Sequence, residues 1–129
     1  MPSSHKNNST RSRGARGEEL AARYLIEKGF ILLDRNYRDN LSRGEIDLIA
    51  RIGTCLVFIE VKAGRGSAFG PPESWVAARK QMRIARAANR YLQDHLLQDA
   101  ECRFDVIGIH MDRKPPEVVH IEQAFWSVL

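Results

Sequence analysis

The 129-residue chain has few cysteines and no long hydrophobic run. Its two cysteines, Cys55 and Cys102, stand far apart and form neither a Cys-x-x-Cys pair nor the framework of a disulfide-rich secreted domain. No apolar stretch approaches the roughly 18 residues that span a membrane, and none near Met1 has the pattern of a signal peptide. We therefore expect a protein of the reducing cytoplasm that has no membrane partner.

The chain also lacks the motifs of several common functional classes. Its four histidines, His5, His95, His110 and His120, do not have the spacing of zinc ligands. It has neither a glycine-rich phosphate loop nor a serine nucleophile elbow. These absences argue against a zinc module, a P-loop enzyme and an α/β-hydrolase.

What remains is the composition of an ordinary globular domain. Hydrophobic residues make up 43% of the chain and charged residues 28%, which is enough apolar material for a core. Residues 1–13 are polar and basic without periodicity, and this predicts a disordered tail. Residues 14–129 have the length of one domain, and we expect a single α/β domain there.

The net charge of +4 is unevenly distributed. The basic residues of the first 17 positions account for all of it, so the rest of the chain is neutral overall. Between residues 62 and 90, however, Glu73 is the only acid among seven basic residues, namely Lys62, Arg65, Arg79, Lys80, Arg83, Arg86 and Arg90. A basic patch on a neutral body is typical of a protein that binds an anionic partner on one face. A solvated helix face is the alternative.

Hydrophobic periodicity predicts the element order α-β-β-β-α-β-β. The first helix begins near residue 14 and ends at Gly29, and the second runs from Glu73 to about Leu97. The predicted strands are Phe30–Tyr37, Gly44–Arg51, Leu56–Lys62, Arg103–His110 and Val118–Ile121. The inner stripe predicted for the second helix consists of Trp75, Ala78, Met82, Ala85, Asn89, Leu92 and Leu96. The segment Gly64–Pro72 is expected to be a flexible loop.

The second and third strands are predicted to form a hairpin with Gly53-Thr54 as its two-residue turn. This register places Asp47 opposite Glu60, and Glu45 opposite Lys62. Directly opposed residues have Cβ atoms about 4.5–5.5 Å apart, and Glu60 and Lys62 share one face of their strand. Two carboxylates and an ammonium group should therefore meet among otherwise apolar strands.

Such a pair of carboxylates has a specific chemical use. Adjacent carboxylates resist joint ionisation, and a divalent cation removes that cost. Mg²⁺ typically binds one or two carboxylates plus waters. It can polarise a phosphodiester and lower the pKa of water, while the ammonium of Lys62 stabilises the negative transition state. The alternative is a structural salt bridge in which Asp47 and Glu60 share Lys62.

The segments Gly44–Ala50 (GEIDLIA) and Val57–Lys62 (VFIEVK) resemble the Asp…Glu-x-Lys core of the PD-(D/E)xK nuclease superfamily. More closely, the chain resembles the YraN-like family of small bacterial proteins, which is related to archaeal Holliday-junction resolvases. The resemblance covers residues 14–125 and continues through Gly14–Glu18, Arg35–Arg38, Phe69-Gly70, Lys80 and Arg103–Val106. It implies a restriction-endonuclease-like fold, with a mixed central β-sheet flanked by helices.

The resemblance also implies catalytic roles for Glu18, Asp47, Glu60 and Lys62. Asp47 and Glu60 would ligate Mg²⁺ or Mn²⁺, and Lys62 would position or activate the attacking water. Glu18 would complete the site, although an acid at the start of a helix also has a purely electrostatic explanation. The chain departs from the family pattern after Lys62, because Ala63 is found where Thr or Ser followed by Arg is expected.

The second helix carries a row of four arginines at intervals of four, three and four, namely Arg79, Arg83, Arg86 and Arg90. Such a row suits the phosphates of a nucleic acid, whose contacts give affinity without sequence readout. Lys80 lies on a different flank with Ile84, Ala87 and Tyr91. Its ammonium could reach the active site, or the side chain could simply extend to solvent along the apolar surface.

The sequence therefore predicts a Mg²⁺- or Mn²⁺-dependent endonuclease that hydrolyses phosphodiester bonds in DNA, with branched or damaged DNA as expected substrates. The alternative is a non-catalytic nucleic-acid-binding module that keeps the nuclease fold. RNA stays open as a substrate, with DNA favoured. Phe125 and Trp126 are expected to pack on the core or to contribute to a homodimer.

Overall fold

The computed structural model describes residues 2–125, and it describes side chains for residues 14–66 and 69–125. Two helices and five strands are joined by 3₁₀ turns at Gly66–Phe69 and Pro72–Ser74. In chain order the helices and strands are α1 (Pro2–Glu27), β1 (Ile31–Asp39), β2 (Gly44–Ile52), β3 (Cys55–Gly64), α2 (Ala78–Asp94), β4 (Cys102–His110) and β5 (Glu117–Phe125). The α/β class and the predicted element order are confirmed.

The five strands form one mixed sheet in the order β1-β2-β3-β4-β5. β1, β2 and β3 follow one another as an antiparallel meander. β3 and β4 are parallel, a pairing that requires a crossover connection, and α2 supplies it. β5 returns antiparallel to β4. The predicted mixed central sheet is therefore confirmed.

The helices cover opposite faces of the sheet and bury two separate cores. Under α1, Ala21 and Leu25 pack on a patch that includes Ile59 and Ile107. Under α2, Ile84 and Tyr91 pack in a cluster with other apolar side chains of the sheet. β3 and β4 are buried from both sides, which explains why their sequences are nearly continuous apolar runs. Charged residues within such strands must have a specific compensation.

The inner stripe predicted for α2 is correct only in part. Trp75, Ala85 and Leu92 are buried, but Ala78 is exposed, and Met82 and Leu96 are 56% and 82% exposed. The buried residues of α2 are Ile84, Ala85, Ala87, Ala88, Tyr91 and Leu92. Small alanines let this face approach β2 closely, and the backbone of Gly44 lies against the carbonyl oxygen of Arg83. The core-facing flank is therefore the one that carries Lys80, one turn before Ile84.

The segment Gly64–Pro72 is more ordered than the flexible loop that the sequence predicts. Phe69 is 3% exposed, and its ring lies 4.7 Å from the ring of Trp75 and 4.3 Å from that of His110. Trp75 lies before α2, which starts at Ala78 rather than at Glu73. These aromatic contacts anchor the connection between β3 and α2 to the sheet.

At the chain ends, the structure tests some of the predictions. The helix α1 begins at Pro2, whereas the sequence predicts a disordered tail over residues 1–13. The side chains of residues 2–13 lie outside the described set, and the tail stays a prediction. Phe125 is buried and stacks on Phe104, while Trp126 lies outside the described residues and a homodimer stays a prediction. Within residues 2–125, no helix is both long enough and apolar enough to cross a membrane.

Candidate functional site

The hairpin between β2 and β3 has the predicted turn and register. Ile52 pairs with Cys55, and the ladder continues to the pair Leu48–Ile59. Gly53 adopts a φ of +58°, the positive value that the first residue of such a turn needs. The ladder stops one pair short of Asp47 and Glu60, the two carboxylates that the register brings together.

β2 and β3 separate at this point, and the side chain of Asp47 fills the gap. Its Oδ2 accepts a hydrogen bond of 2.8 Å from the backbone N–H of Val61. Ile46 packs in the core under α2, whereas Leu48 packs in the core under α1, although alternate residues of a regular strand share a face. The strand is therefore twisted at Asp47, and the twist opens the sheet there.

The opening forms a cleft of about 600 Å³ between the two helices. All four predicted catalytic residues, Glu18, Asp47, Glu60 and Lys62, line this cleft. The remaining lining residues are Gly14, Val61, Ala63, Trp75 and Lys80. The structure thus brings the predicted catalytic residues together from α1, β2 and β3, and it adds Lys80 from α2.

Glu60 is the most buried charged group of the cleft, with 5% of the residue exposed. Burial raises the pKa of its carboxyl group to about 9, and the neighbouring Asp47 contributes through a hydrogen bond and through its charge. Lys80 acts in the opposite direction, with its Nζ 3.1 Å from Oε1 of Glu60. Glu60 therefore faces one carboxyl neighbour and one ammonium group.

Glu18 reaches the cleft because α1 touches β3 closely. A Cβ atom on Gly17 would lie 2.6 Å from the Cβ of Ala63, so glycine at this position permits the contact. The small Ala63 is the surface on which α1 rests. The pKa of Glu18 is raised by burial and by the charge of Asp47, while a hydrogen bond from Asn36 lowers it.

Lys62 does not have the partners that the register suggested. Glu45 lies opposite Arg38 of β1, and its carboxylate is 3.8 Å from that guanidinium group. The prediction that Glu45 faces Lys62 is wrong, because the β2–β3 ladder ends before these residues. Among the described side chains, no carboxylate lies within ion-pair distance of Lys62, whose Nζ is 5.6 Å from the centre of the Phe69 ring. Lys80, rather than Lys62, is the cation that pairs with Glu60.

The donor atoms of the cleft suit a hard divalent cation. Asp47 and Glu60 offer carboxylate oxygens in mutual contact, and Glu18 is a third acid facing the same cleft. Among the described residues, no group of three or more His, Cys, Asp or Glu is gathered tightly enough to form a complete ligand set. Two carboxylates plus water is nevertheless the usual donor set of Mg²⁺.

Next to the cleft, α2 presents the predicted row of arginines to solvent. Arg79, Arg83, Arg86 and Arg90 are all exposed. Arg90 also lies 3.3 Å from Asp94 one turn later. The sequence did not indicate Arg43, which is exposed in the turn between β1 and β2 beside this helix. The basic surface therefore combines α2 with that turn, and the predicted exposure of the row is confirmed.

Asn36 is a second residue that the sequence analysis did not single out. It has a φ of +52°, in the left-handed region that Asn tolerates better than most residues. Its side chain is hydrogen-bonded to Glu18. The signal that could have found it is an asparagine within a predicted strand, between Arg35 and Tyr37, because strands otherwise disfavour this residue type.

A separate buried carboxylate, Asp105, lies on β4 and is 1% exposed. Both carboxylate oxygens accept hydrogen bonds from Arg103, at 3.0 and 3.1 Å, and Oδ2 also accepts one of 2.8 Å from His120. The backbone N–H of Gln123 donates a further bond of 3.0 Å. Burial by itself would raise the pKa of Asp105, but these donors lower it below its ordinary value.

The sequence is similar to a large group of bacterial proteins. The model of the uncharacterised protein family UPF0102 matches residues 17–109. A UPF0102 protein of Rhodococcus jostii is 45% identical over 113 residues, which cover 87% of this chain and 94% of the relative. A UPF0102 protein of Geotalea uraniireducens is 42% identical over 116 residues, which cover 89% of this chain and 90% of the relative.

The family match includes every predicted catalytic residue and the whole arginine row. Glu18 lies at its beginning, and the strands with Asp47, Glu60 and Lys62 lie well inside it. Both relatives align along nearly their full length. The chain therefore belongs to the UPF0102 family.

Proposed function

We propose that this UPF0102 protein is a divalent-metal-dependent endonuclease of the PD-(D/E)xK type that acts on DNA. The observation that carries the proposal is the convergence of Asp47, Glu60, Lys62 and Glu18 in one cleft. Two carboxylates, an ammonium group and a third acid are the groups that metal-assisted phosphodiester hydrolysis needs. The exposed arginines beside the cleft supply the contacts to a polyanionic substrate.

Asp47 and Glu60 are the residues that would hold Mg²⁺ or Mn²⁺, with Glu18 at the edge of the same site. A cation bound there polarises the phosphodiester and lowers the pKa of water. The hydrogen bond from the N–H of Val61 fixes the carboxylate of Asp47, and burial fixes that of Glu60. Both side chains are therefore held in place before any ion binds, which reduces the cost of ordering the site.

Lys62 contributes positive charge at the point where negative charge develops. Its ammonium is free of a carboxylate partner among the described side chains and extends into the cleft beside the Phe69 ring. An ammonium group in this position stabilises the phosphorane-like transition state and orients the attacking water. Trp75, whose ring packs against that of Phe69, forms part of the wall of the cleft.

The substrate is expected to lie along α2. Arg79 and Arg90 are 11 residues apart, so the row extends about 16 Å along the helix, close to five base pairs of B-form duplex at about 3.4 Å each. Arg43 in the β1–β2 turn widens the surface. Contacts of this kind bind phosphates and not bases, which favours recognition of DNA shape over sequence.

A non-catalytic nucleic-acid-binding module is the second candidate. The observation that favours it is that Glu60 already has an internal counter-ion, Lys80, at 3.1 Å. In this case the cleft would be a stable ion-pair site, and the exposed arginines would be the functional surface. The two candidates share the binding face and differ only in the role of the carboxylates.

Cleavage of a labelled four-way DNA junction in Mg²⁺ or Mn²⁺ separates the two candidates, with duplex DNA, single-stranded DNA and RNA in parallel. Asp47→Ala and Glu60→Ala should each lower the cleavage rate by about 100-fold or more while binding persists. Glu45→Ala is the matched control, because Glu45 lies on β2 two residues from Asp47 but pairs with Arg38 outside the cleft.

Three other results of this cleavage assay would change the proposal or its interpretation. Salt-sensitive binding without cleavage of any substrate in either metal would overturn the nuclease proposal and leave the binding module. Cleavage that persists in Asp47→Ala would show a contaminating nuclease. Preference for RNA over all DNA substrates would keep the reaction and correct the substrate.

A further inference from the structure

The residue that the proposed mechanism leaves without a role is Lys80, a basic residue of α2 that lines the cleft. Its position four residues before Ile84 puts it on the buried flank of the helix, apart from the four exposed arginines. Its Nζ lies 3.1 Å from Oε1 of Glu60, and it also lines the cleft. Among the described residues it is the only cation within ion-pair distance of a proposed metal ligand.

This ion pair is strongly asymmetric. The side chain of Glu60 is 6% exposed, whereas that of Lys80 is 55% exposed. Glu60 is fixed in the sheet, while the ammonium is carried by a flexible four-carbon stem that continues from the cleft to solvent. One partner of the pair can therefore leave without any movement of the backbone, and the other cannot.

The ammonium of Lys80 lies on a carboxylate that a metal ion would need, because its Nζ is 3.1 Å from Oε1 of Glu60. The carboxylate of Asp47, the other proposed ligand, is in contact with Glu60. A divalent ion and an ammonium group would repel each other across this short distance. Two carboxylates balance two positive charges, so the bound metal leaves no negative charge for Lys80 to neutralise.

We propose that Lys80 is the exchangeable counter-ion of Glu60, a positioning residue that holds this ligand carboxylate in the metal-free protein and is displaced when a divalent cation binds. The inference rests on the proposed function, because it takes Asp47 and Glu60 as the metal ligands. Displacement frees the ammonium at the cleft end of the arginine row, where the phosphate of a substrate would enter. Metal loading thereby adds a positive charge to the binding surface exactly beside the reacting bond.

The buried pair Arg103–Asp105 shows by contrast what a permanent pair looks like in this fold. The side chain of Arg103 is 17% exposed, and it makes two hydrogen bonds to an aspartate whose side chain is 0% exposed. Lys80 makes a single contact and remains more than half exposed. The exchangeable character of Lys80 follows from this difference in geometry.

The test is the chemical reactivity of the Lys80 amine, measured by acetylation and mass spectrometry in the full-length protein with and without Mn²⁺. Displacement should raise the acetylation rate of Lys80 by about threefold or more. This is about the factor by which a partly exposed ion pair lowers the fraction of free amine. Lys28, an exposed lysine directly after α1 that is not among the residues lining the cleft, is the internal control and should not change. In Glu60→Gln the Lys80 amine should react rapidly without metal and show no further increase.

Binding of Mn²⁺, followed by calorimetry in the wild type and in Asp47→Ala, separates failure of this inference from failure of the proposed function. If the wild type binds Mn²⁺ through Asp47 and the acetylation of Lys80 stays the same or slows, the exchange is overturned and the metal site stands. If the wild type binds no Mn²⁺, the proposed metal site and the exchange are both overturned. These outcomes do not depend on any cleavage assay.

Discussion

Glu60 and Asp105 are both carboxylates buried in the same sheet, but their surroundings shift their pKa values in opposite directions. Asp105 is 1% exposed and its pKa is lowered, while Glu60 is 5% exposed and its pKa is raised to about 9. The depth of burial is therefore not what separates them. The difference lies in the groups that face each carboxylate.

Asp105 has a full set of hydrogen-bond donors from Arg103, His120 and the backbone of Gln123. Glu60 faces a second carboxylate, Asp47, and has one ammonium partner. Buried charges with a full set of partners are tolerated in a fold, whereas two adjacent carboxylates resist joint ionisation unless a cation neutralises them. The Asp105 cluster thus has the contacts of a structural site, and the Asp47–Glu60 pair has those of the metal site that we propose.

Removal of the carboxylate of Asp105 should have the largest effect on stability. Asp105→Ala leaves Arg103 and His120 buried without their acceptor, and we expect a loss of about 3–5 kcal/mol in the free energy of unfolding. Urea denaturation followed by circular dichroism measures it. Glu122→Ala is the control, because Glu122 also lies near Arg103 but is exposed, and its loss should stay below about 0.5 kcal/mol.

Equal costs for Asp105→Ala and Glu60→Ala would break the comparison. That result would mean that both carboxylates are structural, and it would favour the binding module over the nuclease.

The pH dependence of stability should show the raised pKa of Glu60. Folding raises the pKa of Glu60 from 4.5 to about 9. Between these two pH values, the folded protein therefore keeps a proton on Glu60 that the unfolded chain has lost. The metal-free protein should thus lose stability as pH rises from about 6 to 8, by about 1–3 kcal/mol, with an upper limit of about 1.4 kcal/mol per pH unit.

Glu60→Gln should reduce the loss of stability with rising pH, since the amide cannot release a proton. Asp105 acts with the opposite sign, because a lowered pKa stabilises the protein above about pH 4 and this contribution is lost in acid. Denaturant titrations at several pH values compare the two proteins. An unchanged slope in Glu60→Gln would show that another group is responsible.

Added metal should stabilise the protein only through the Asp47–Glu60 pair of carboxylates. At a Mn²⁺ concentration ten times the dissociation constant, the wild type should gain about 1.4 kcal/mol, and a chelator should reverse the gain. Asp47→Ala should gain nothing, whereas Glu122→Ala, beside the Asp105 cluster, should gain as much as the wild type. A gain that survives in Asp47→Ala would place the metal elsewhere.

The arginine row should matter least for stability and most for the salt dependence of binding. The double variant Arg83→Ala, Arg86→Ala removes two exposed side chains, so its free energy of unfolding should change by less than about 0.5 kcal/mol. The slope of log affinity for duplex DNA against log salt should fall by about 2. Arg51→Ala, an exposed arginine next to the hairpin turn, is the matched control and should leave the slope unchanged.

Much of this fold could be predicted because local sequence and local geometry agree. The Gly53-Thr54 turn fixes the β2–β3 register, and the register brings Asp47 and Glu60 to the same end of the hairpin. Alternating polar and apolar residues, or continuous apolar runs, indicate the strands, and Gly29 indicates the end of the first helix. Each of these signals acts over a few residues, so one sequence is enough to read it.

The face of α2 that is buried against the sheet could not be predicted from such local signals. Met82 and Leu96 are more hydrophobic than the alanines, but close packing on β2 selects the alanine face and leaves the two larger side chains exposed. That choice depends on the distance between helix and sheet. It also decides that Lys80 reaches Glu60, a contact that sequence analysis left open.

The sequence by itself determined the element order, the hairpin and the identity of four residues, Glu18, Asp47, Glu60 and Lys62, that line the cleft. Only the tertiary structure decided where β2 and β3 part, how Gly17 and Ala63 bring Glu18 to the opening, and which cation faces Glu60. Hydrophobic patterns and turns are short-range properties of the chain. The electrostatics of a buried carboxylate depend instead on every group within a few ångströms, and only folding sets those neighbours.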